Sequence, residues 1–540
     1  MIMNGPRRLV QCRVRCASHN AGRLHYHDHV LRIVILVFVF VVAVGPEAYA
    51  GPHEIVRIDS GRLRGVTTEG VIAYKGIPFA APPIGPLRWR APQPLQSWSG
   101  VRAASEFGNA CTQEPPRNGS AKLLRAPVSE DCLYLNVWRP ANTRRPLPVM
   151  VWIHGGSLTM GAASDARTDG SALAGRGVVL VAINYRVGYA GFFAHPALTR
   201  EAADGGRIAN YGLMDQLAAL QWVQRNVRAF GGDPSRVTIF GQSAGGLSVE
   251  ALLVSPMARG LFQRAIVQSG YYRGTYPRIA ARAPDGRSSA EDDGVAALRA
   301  IGVEAGDVAA LRSLTTQQLL SLPPHGASGA IPAIDGKFVV EDLWTSLRNN
   351  RMAAVPLIVG ATGQETPALP PGVRAQSRAV LAKFISPEDE VRLLPIYGGQ
   401  DALDLNLGSD FIFAATMHSL ADIHLANKHP AYRYRFATLP DEAALTLKGL
   451  PHSGELPYVF GTLTTAPWKM QARDRAVSDA AMDYWVEFAR SGSPTPPGRP
   501  AWPGAAGEQI MLFDNDGARP QTDDRSPRYR ALAEIVDPRS

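Results

Sequence analysis

The chain alternates between short, uninterrupted apolar runs and longer segments whose apolar positions recur every three or four residues. Residues 148–154 (PVMVWIH) form a run of the first kind and end at Gly155-Gly156. Residues 177–184 (GVVLVAIN), 237–240 (VTIF) and 355–359 (VPLIV) are three more. Runs without polar alternation are expected of strands buried on both faces, as in a parallel sheet covered by helices. Leu213, Leu217, Leu220, Val223 and Val227 recur at helical spacing between the second and third runs. Gly231-Gly232-Asp233-Pro234 then predicts a break before the next strand. Strand, helix, strand in this order predicts an α/β fold with a doubly wound, mostly parallel central sheet flanked by helices. Residues 273–294, polar and basic, and residues 367–378, rich in proline, are expected to be surface loops. No internal repeat is visible.

The first fifty residues follow a different pattern. Residues 30–44 (VLRIVILVFVFVVAV) are nearly all apolar, arginines precede them, and GPEAYA follows with small residues at Ala48 and Ala50. A basic region, an apolar region and an A-x-A site describe a secretory signal peptide. The competing reading is a membrane anchor, but a run of about 15 residues falls short of the roughly 20 that span a bilayer. Cleavage after Ala50 and export are therefore expected, with residues 51–540 as a single domain. The basic region is long, and translation starting nearer Val30 is an alternative.

Composition changes this picture little. With 540 residues, 46% hydrophobic and 19% charged, the chain can bury a large core. The net charge of +9 is partly carried by Arg7, Arg8, Arg13, Arg15, Arg23 and Arg32 in the leader. The remainder is mildly basic and well mixed, without the Lys/Arg clustering of a nucleic-acid patch. Of four cysteines, Cys12 and Cys16 leave with the leader and Cys111 and Cys132 remain. Two cysteines in an oxidising compartment imply one disulfide, against the alternative of two buried thiols. No His/Cys/Asp cluster has zinc spacing and no glycine loop suits a phosphate, so neither metal nor cofactor is expected.

The chemistry is carried by residues 237–253 (VTIFGQSAGGLSVEALL). An apolar strand enters Gly241-Gln242-Ser243-Ala244-Gly245 and a helix-like segment follows. That is G-x-S-x-G in a strand–turn–helix context, which raises a serine hydroxyl above a sheet at a helix N-terminus. Ser243 is the expected nucleophile, and it needs a base and donors for the oxyanion. Gly155, Gly156 and Ser157 after the first apolar run, with the N–H of Ala244, are the expected oxyanion donors. His154 precedes the serine and is read as a buttress of that loop. For this fold the order is serine, acid, histidine. Downstream stand His325, His418, His424, His429 and His452. His418 and His424 sit in a helical pattern, whereas His452 lies in the Pro/Gly loop of LPHSGELPYVFG and is the candidate base. Glu365, beyond a strand's end, is a candidate acid, and Asp335, before Gly336, is its rival.

These residues resemble the type-B carboxylesterases, the group of cholinesterases and para-nitrobenzyl esterases. The matching stretches include YKGIPFAAPPIGPLRWR, SEDCLYLNVWRP, VWIHGGS, NYRVGYAGFFAHP, VPLIVGATGQE, PHSGELPYVFG and AMDYWVEFARSGSP, and they extend over nearly all of the mature chain. The resemblance implies a Ser243–Glu365–His452 triad, with the acid five residues after Gly360, and a disulfide between Cys111 and Cys132. It implies hydrolysis of a small-molecule ester through an acyl-enzyme. Ser157 stands where the family usually has a third glycine, and Gln242 where it usually has glutamate. Ser157 is expected to be tolerated, because the donors are backbone groups, while narrowing the acyl side of the pocket. The loop from Cys111 to Cys132 holds no aromatic residue to take a quaternary ammonium, so small uncharged esters are expected rather than choline esters. Amide or lactone hydrolysis could use the same machinery. A binding module that has lost its serine is the competing class, but here serine, glutamate and histidine all stand.

Overall fold

The computed structural model describes residues 54–114, 124–270, 276–283, 286–323, 331–366 and 381–536. The apolar run at 30–44, the cleavage site, His325 and the proline-rich stretch at 367–378 lie outside the described residues. Ala50–Ser540 forms a compact unit of its own.

An 11-stranded sheet organises that unit. In chain order its strands are β1 (Val66–Thr68), β2 (Val71–Pro78), β3 (Tyr134–Pro140), β4 (Leu147–Ile153), β5 (Val179–Ile183) and β6 (Gly232–Gln242). They continue with β7 (Arg264–Gln268), β8 (Leu357–Thr362), β9 (Ala431–Phe436), β10 (Gln509–Asp514) and β11 (Gly517–Thr522). The spatial order is β11-β10-β9-β8-β7-β6-β4-β5-β3-β2-β1. From β5 across to β10 every pairing is parallel. The remaining pairs, towards both edges, are antiparallel. A smaller sheet of Ile55–Ile58, Gly61–Arg64 and Val101–Ala103 stands apart from it.

The expected alternation of elements is present, with shifted boundaries. Helix α1 (Tyr211–Asn226) carries the periodic leucines and α2 (Ala244–Val254) follows the serine. Gly231–Pro234 does not break the chain before β6. The strand begins at Gly232, and its pairing with β4 shifts register between Gly232 and Val237, so the irregular residues are absorbed as a bulge. The loop expected through Gly294 ends earlier, because Ser289 caps a helix over Ala290–Ala300 with a capping box to Asp292. Strand β8 also runs on through Thr362, two residues past Gly360.

Side chains of the central strands divide between the two faces with period two. Val149, Val151 and Ile153 join Leu213, Leu217 and Leu220 of α1 in one apolar cluster. Met150 and Trp152 join Phe240, Phe460, and Tyr484, Trp485 and Phe488 of helix α3 (Ala472–Ser491) in the other. Both faces of the central strands are thereby covered.

Candidate active site

Ser243 sits at the carboxyl end of β6, where the strand turns into α2. Its φ and ψ are 59° and −124°, a conformation that costs a non-glycine residue on the order of 1–3 kcal/mol. The surrounding framework enforces it. Ser243 N–H donates to the Gln268 carbonyl of β7 at 2.9 Å, and its carbonyl accepts from Leu247 N–H at 2.9 Å. A Cβ on Gly245 would stand 2.1 Å from the Ile153 carbonyl oxygen, and one on Gly241 2.4 Å from the Gly245 oxygen. Helix, turn and neighbouring strand pack so closely that only glycine fits at these two places. The first N–H groups of α2, beginning with Ala244, have no intrahelical partner.

The loop after β4 closes over this turn. A Cβ on Gly155 would come within 2.6 Å of the Gln242 carbonyl oxygen, and one on Gly156, at φ 110°, within 2.3 Å of the Met160 oxygen. Ser157 and Leu158 follow with φ of 56° and 59°. Gln113 ties the loop's return, since its amide donates to the Gly161 carbonyl at 2.9 Å and its oxygen accepts from Gly161 N–H at 2.8 Å. Gln113 is in turn held two residues from Cys111, which is bonded to Cys132. His154 is buried and stacks on Tyr185 with ring centroids 4.2 Å apart. Burial, only partly offset by a hydrogen bond with the Gly155 carbonyl, pushes its pKa down to about 4. It is a neutral buttress.

Glu365 and His452 enter from separate loops. Glu365 is buried, and every polar edge of it is engaged. Oε1 accepts from Ser269 Oγ and from Thr362 N–H, each at 2.6 Å, and Oε2 faces His452 Nδ1 at 2.5 Å. Its own N–H donates to Ser409 Oγ at 2.6 Å, and its carbonyl accepts from His452 N–H at 3.1 Å. Burial would raise the carboxyl, but the charge of His452 and these donors hold it below its ordinary value. For His452 burial acts downward, and the charge and hydrogen bond of Glu365 outweigh it, so its pKa is raised. The imidazole packs on Phe413, centroids 4.7 Å apart.

One cavity of about 230 Å³ is lined by Gly155, Gly156 and Ser157, by Ser243, by His452, and by the Asp165–Arg167 ion pair. The structure therefore brings the expected serine, base and oxyanion loop to one space, with the expected acid behind the base. Asp335 is elsewhere: its Oδ1 accepts from the N–H groups of Lys337, Phe338 and Val339, as a turn residue does. His418 pairs with Glu508 and Asp422, and His424 meets the Val355 carbonyl, both on a helix over Ala415–Ala426.

Sequence reasoning missed Ser269, Ser409, Gln113 and Glu455. Ser269 was the most accessible, since it directly follows β7 at the strand ends where such sites assemble. Glu455 is fully buried with one oxygen accepting from Gln268 at 3.4 Å. Burial first, and then the charge of Glu365, push it up to about 7. Among the described residues, no group of three His, Cys, Asp or Glu side chains is placed to hold a metal.

Comparison with known proteins gives a consistent result. The model of the Carboxylesterase family matches residues 52–382 and 402–530. The chain is 34% identical over 465 residues to the para-nitrobenzyl esterase of Bacillus subtilis (strain 168), a match covering 82% of this chain and 91% of that one. It is 35% identical over 472 residues to the fumonisin B1 esterase of Sphingopyxis macrogoltabida, covering 84% of each. It is 36% identical over 491 residues to a human cocaine esterase, covering 83% of this chain and 82% of that one. A solved structure of PNB esterase superposes with a TM-score of 0.76 at 31% identity, covering 89% of this chain and 100% of that chain.

Proposed function

The chain belongs to the carboxylesterase family and is a carboxylic ester hydrolase of α/β-hydrolase fold, and on that premise we propose that Ser243, His452 and Glu365 are its catalytic triad. The observation that carries this reading is the 2.5 Å contact of His452 Nδ1 with Glu365 Oε2, with the ring beside the cavity that holds Ser243.

With Nδ1–H donated to Glu365, Nε2 keeps its lone pair and takes the proton of Ser243 as Oγ attacks the ester carbonyl. The oxyanion is received by backbone N–H groups of Gly155, Gly156, Ser157 and Ala244. The imidazolium then protonates the departing alkoxide, which leaves as alcohol, and the acyl group stays on Ser243. Water, activated by the same ring, cleaves the acyl-enzyme and releases the acid. Ser243→Ala leaves only binding and the oxyanion donors, so kcat is expected to fall at least about 10³-fold. Retention of full activity would refute the assignment.

Small uncharged esters fit the site best, because Arg167 is already paired with Asp165 at 2.6 Å and the described residues that line the cavity include no other Lys, Arg, Asp or Glu. A series of p-nitrophenyl esters from acetate to octanoate tests this. The leader pattern supports export as a single domain starting at Gly51, and the Cys111–Cys132 disulfide agrees with an oxidising compartment. Mass measurement of secreted protein is expected to give Gly51 as the first residue. Recovery of a membrane-bound form retaining residues 30–44 would contradict export.

A further inference from the structure

Gln242 is next to the nucleophile in sequence and only 2% exposed. Its amide nitrogen lies 3.2 Å from His452 Nε2 and 3.4 Å from Nδ1. Its amide oxygen accepts from the Ser453 hydroxyl at 3.1 Å. Almost equally far from both ring nitrogens, the amide nitrogen lies against the imidazole and not in line with the Nε2 lone pair, which stays open to Ser243 while Nδ1 is engaged with Glu365 at 2.5 Å.

That arrangement suits the neutral ring. Once the ring carries a second proton, the partial positive charge of the amide N–H is set against an imidazolium. An amide has a way out that a carboxylate lacks, because it holds an acceptor on its other arm. If it turns over, its partly negative oxygen is set against the imidazolium and its N–H donates to Ser453 Oγ. A hydroxyl gives or receives a hydrogen bond equally well. We propose that Gln242, working with Ser453, is a positioning residue that meets both protonation states of His452, and that an amide here, in place of a carboxylate, keeps the base free at mildly acidic pH.

The charges around the ring make that choice matter. Glu365 faces it from the loop after β8, and Glu455 from its own loop. Arg167 opposes them from across the cavity, itself tied to Asp165, and the uncharged ring of Phe413 covers the imidazole. A glutamate at position 242 would add a further carboxylate about 3 Å from the ring and hold the proton on it.

The test is the pH profile of kcat/KM for wild type and Gln242→Glu, an isosteric change. The acid limb is expected to move up by about one pH unit or more, so that the ratio of activity at pH 6 to that at pH 8.5 falls about fivefold or more. A purely structural role would lower the whole profile without moving the limb. In Ser453→Ala the amide loses the partner that lets it reverse, and kcat is expected to fall severalfold at unchanged KM. A Gln242→Glu limb within about 0.2 unit of wild type overturns the inference, and so does an unaltered kcat in Ser453→Ala should the first variant not fold. The inference rests on His452 being the base. Failure of that reading is seen separately, as undiminished activity in His452→Ala.

Discussion

Ser243 is presented to the cavity by backbone, whereas Glu365 and His452 are presented by side chains. On the serine's side, a strained turn is clamped between β6 and α2, glycines allow the close approach, and main-chain bonds to Gln268 and Leu247 complete the framework. On the other side, two loops remote in sequence are tied together by Ser269, Ser409, Thr362 and Gln242. The backbone-built half fails through a change of backbone or of the space around it. The half built from side chains has several single points of failure, each a hydrogen bond with one donor and one acceptor.

The sharpest way to break that contrast is to replace the acid. Glu365→Gln keeps the shape but favours the wrong imidazole tautomer, and kcat is expected to drop at least about 10²-fold. Asp335→Asn, which alters only a turn, is expected to leave kcat within about threefold of wild type. Steady-state kinetics on both variants settle the ranking, and the reverse order would move the acid to Asp335.

A smaller effect is expected from the staple behind Gln113. Replacing Cys111 and Cys132 by serine opens a loop with a sequence separation of 21. The chain-entropy model assigns such a loop roughly 3 kcal/mol. Denaturant melts should show that loss. Because Gln113 would no longer be held beside Gly161, kcat is expected to fall as well, and an unchanged kcat would separate the staple from the oxyanion loop.

The serine's side has a hidden weakness in Glu250 of α2. It is fully buried, neither carboxylate oxygen has a hydrogen-bond partner among the described residues, and burial pushes its pKa up to about 8. A carboxyl whose pKa is raised on folding stabilises the fold fully below its unfolded value, near 4.5. That contribution is lost as pH rises through about 8. Glu250→Gln is therefore expected to gain in Tm relative to wild type between pH 5 and pH 9, by about 2 °C or more at the upper end. A difference that stays constant with pH would contradict the burial of an ionisable group there.

The smallest effect concerns Ser157. Its φ of 56° is a conformation that glycine adopts freely, at a cost to serine on the order of 1 kcal/mol. Ser157→Gly is expected to raise stability by up to about that amount and to raise the octanoate-to-acetate ratio of kcat/KM a fewfold. An identical acyl profile would show that this side chain does not shape the pocket.

The same division explains what could be read from the sequence. Ser243 was legible because the pattern that marks it is contiguous: an apolar strand, two glycines at the turn, an apolar helix. The loop proposed to receive the oxyanion was legible for the same reason, directly after β4. By spacing alone Glu365 and Asp335 stayed open, since what separates them is which loop meets His452, and that depends on β8 and β9 lying side by side. Family resemblance pointed to Glu365, and the structure puts it against the ring. Ser409 gave no local sign, because a helical serine that caps a distant loop looks like any other. The start of β6 was misread for a different reason: Gly231–Pro234 is ordinary turn chemistry, and pairing with β4 overrode it through a bulge.

The claim that Ser243 is the nucleophile is tested most directly by covalent trapping. Protein treated with an alkyl fluorophosphonate until esterase activity is gone should carry one adduct, and peptide mapping by mass spectrometry should place it on Ser243. Complete inactivation with the Ser243 peptide unmodified, or an adduct on any other serine in proportion to the activity lost, would contradict the account.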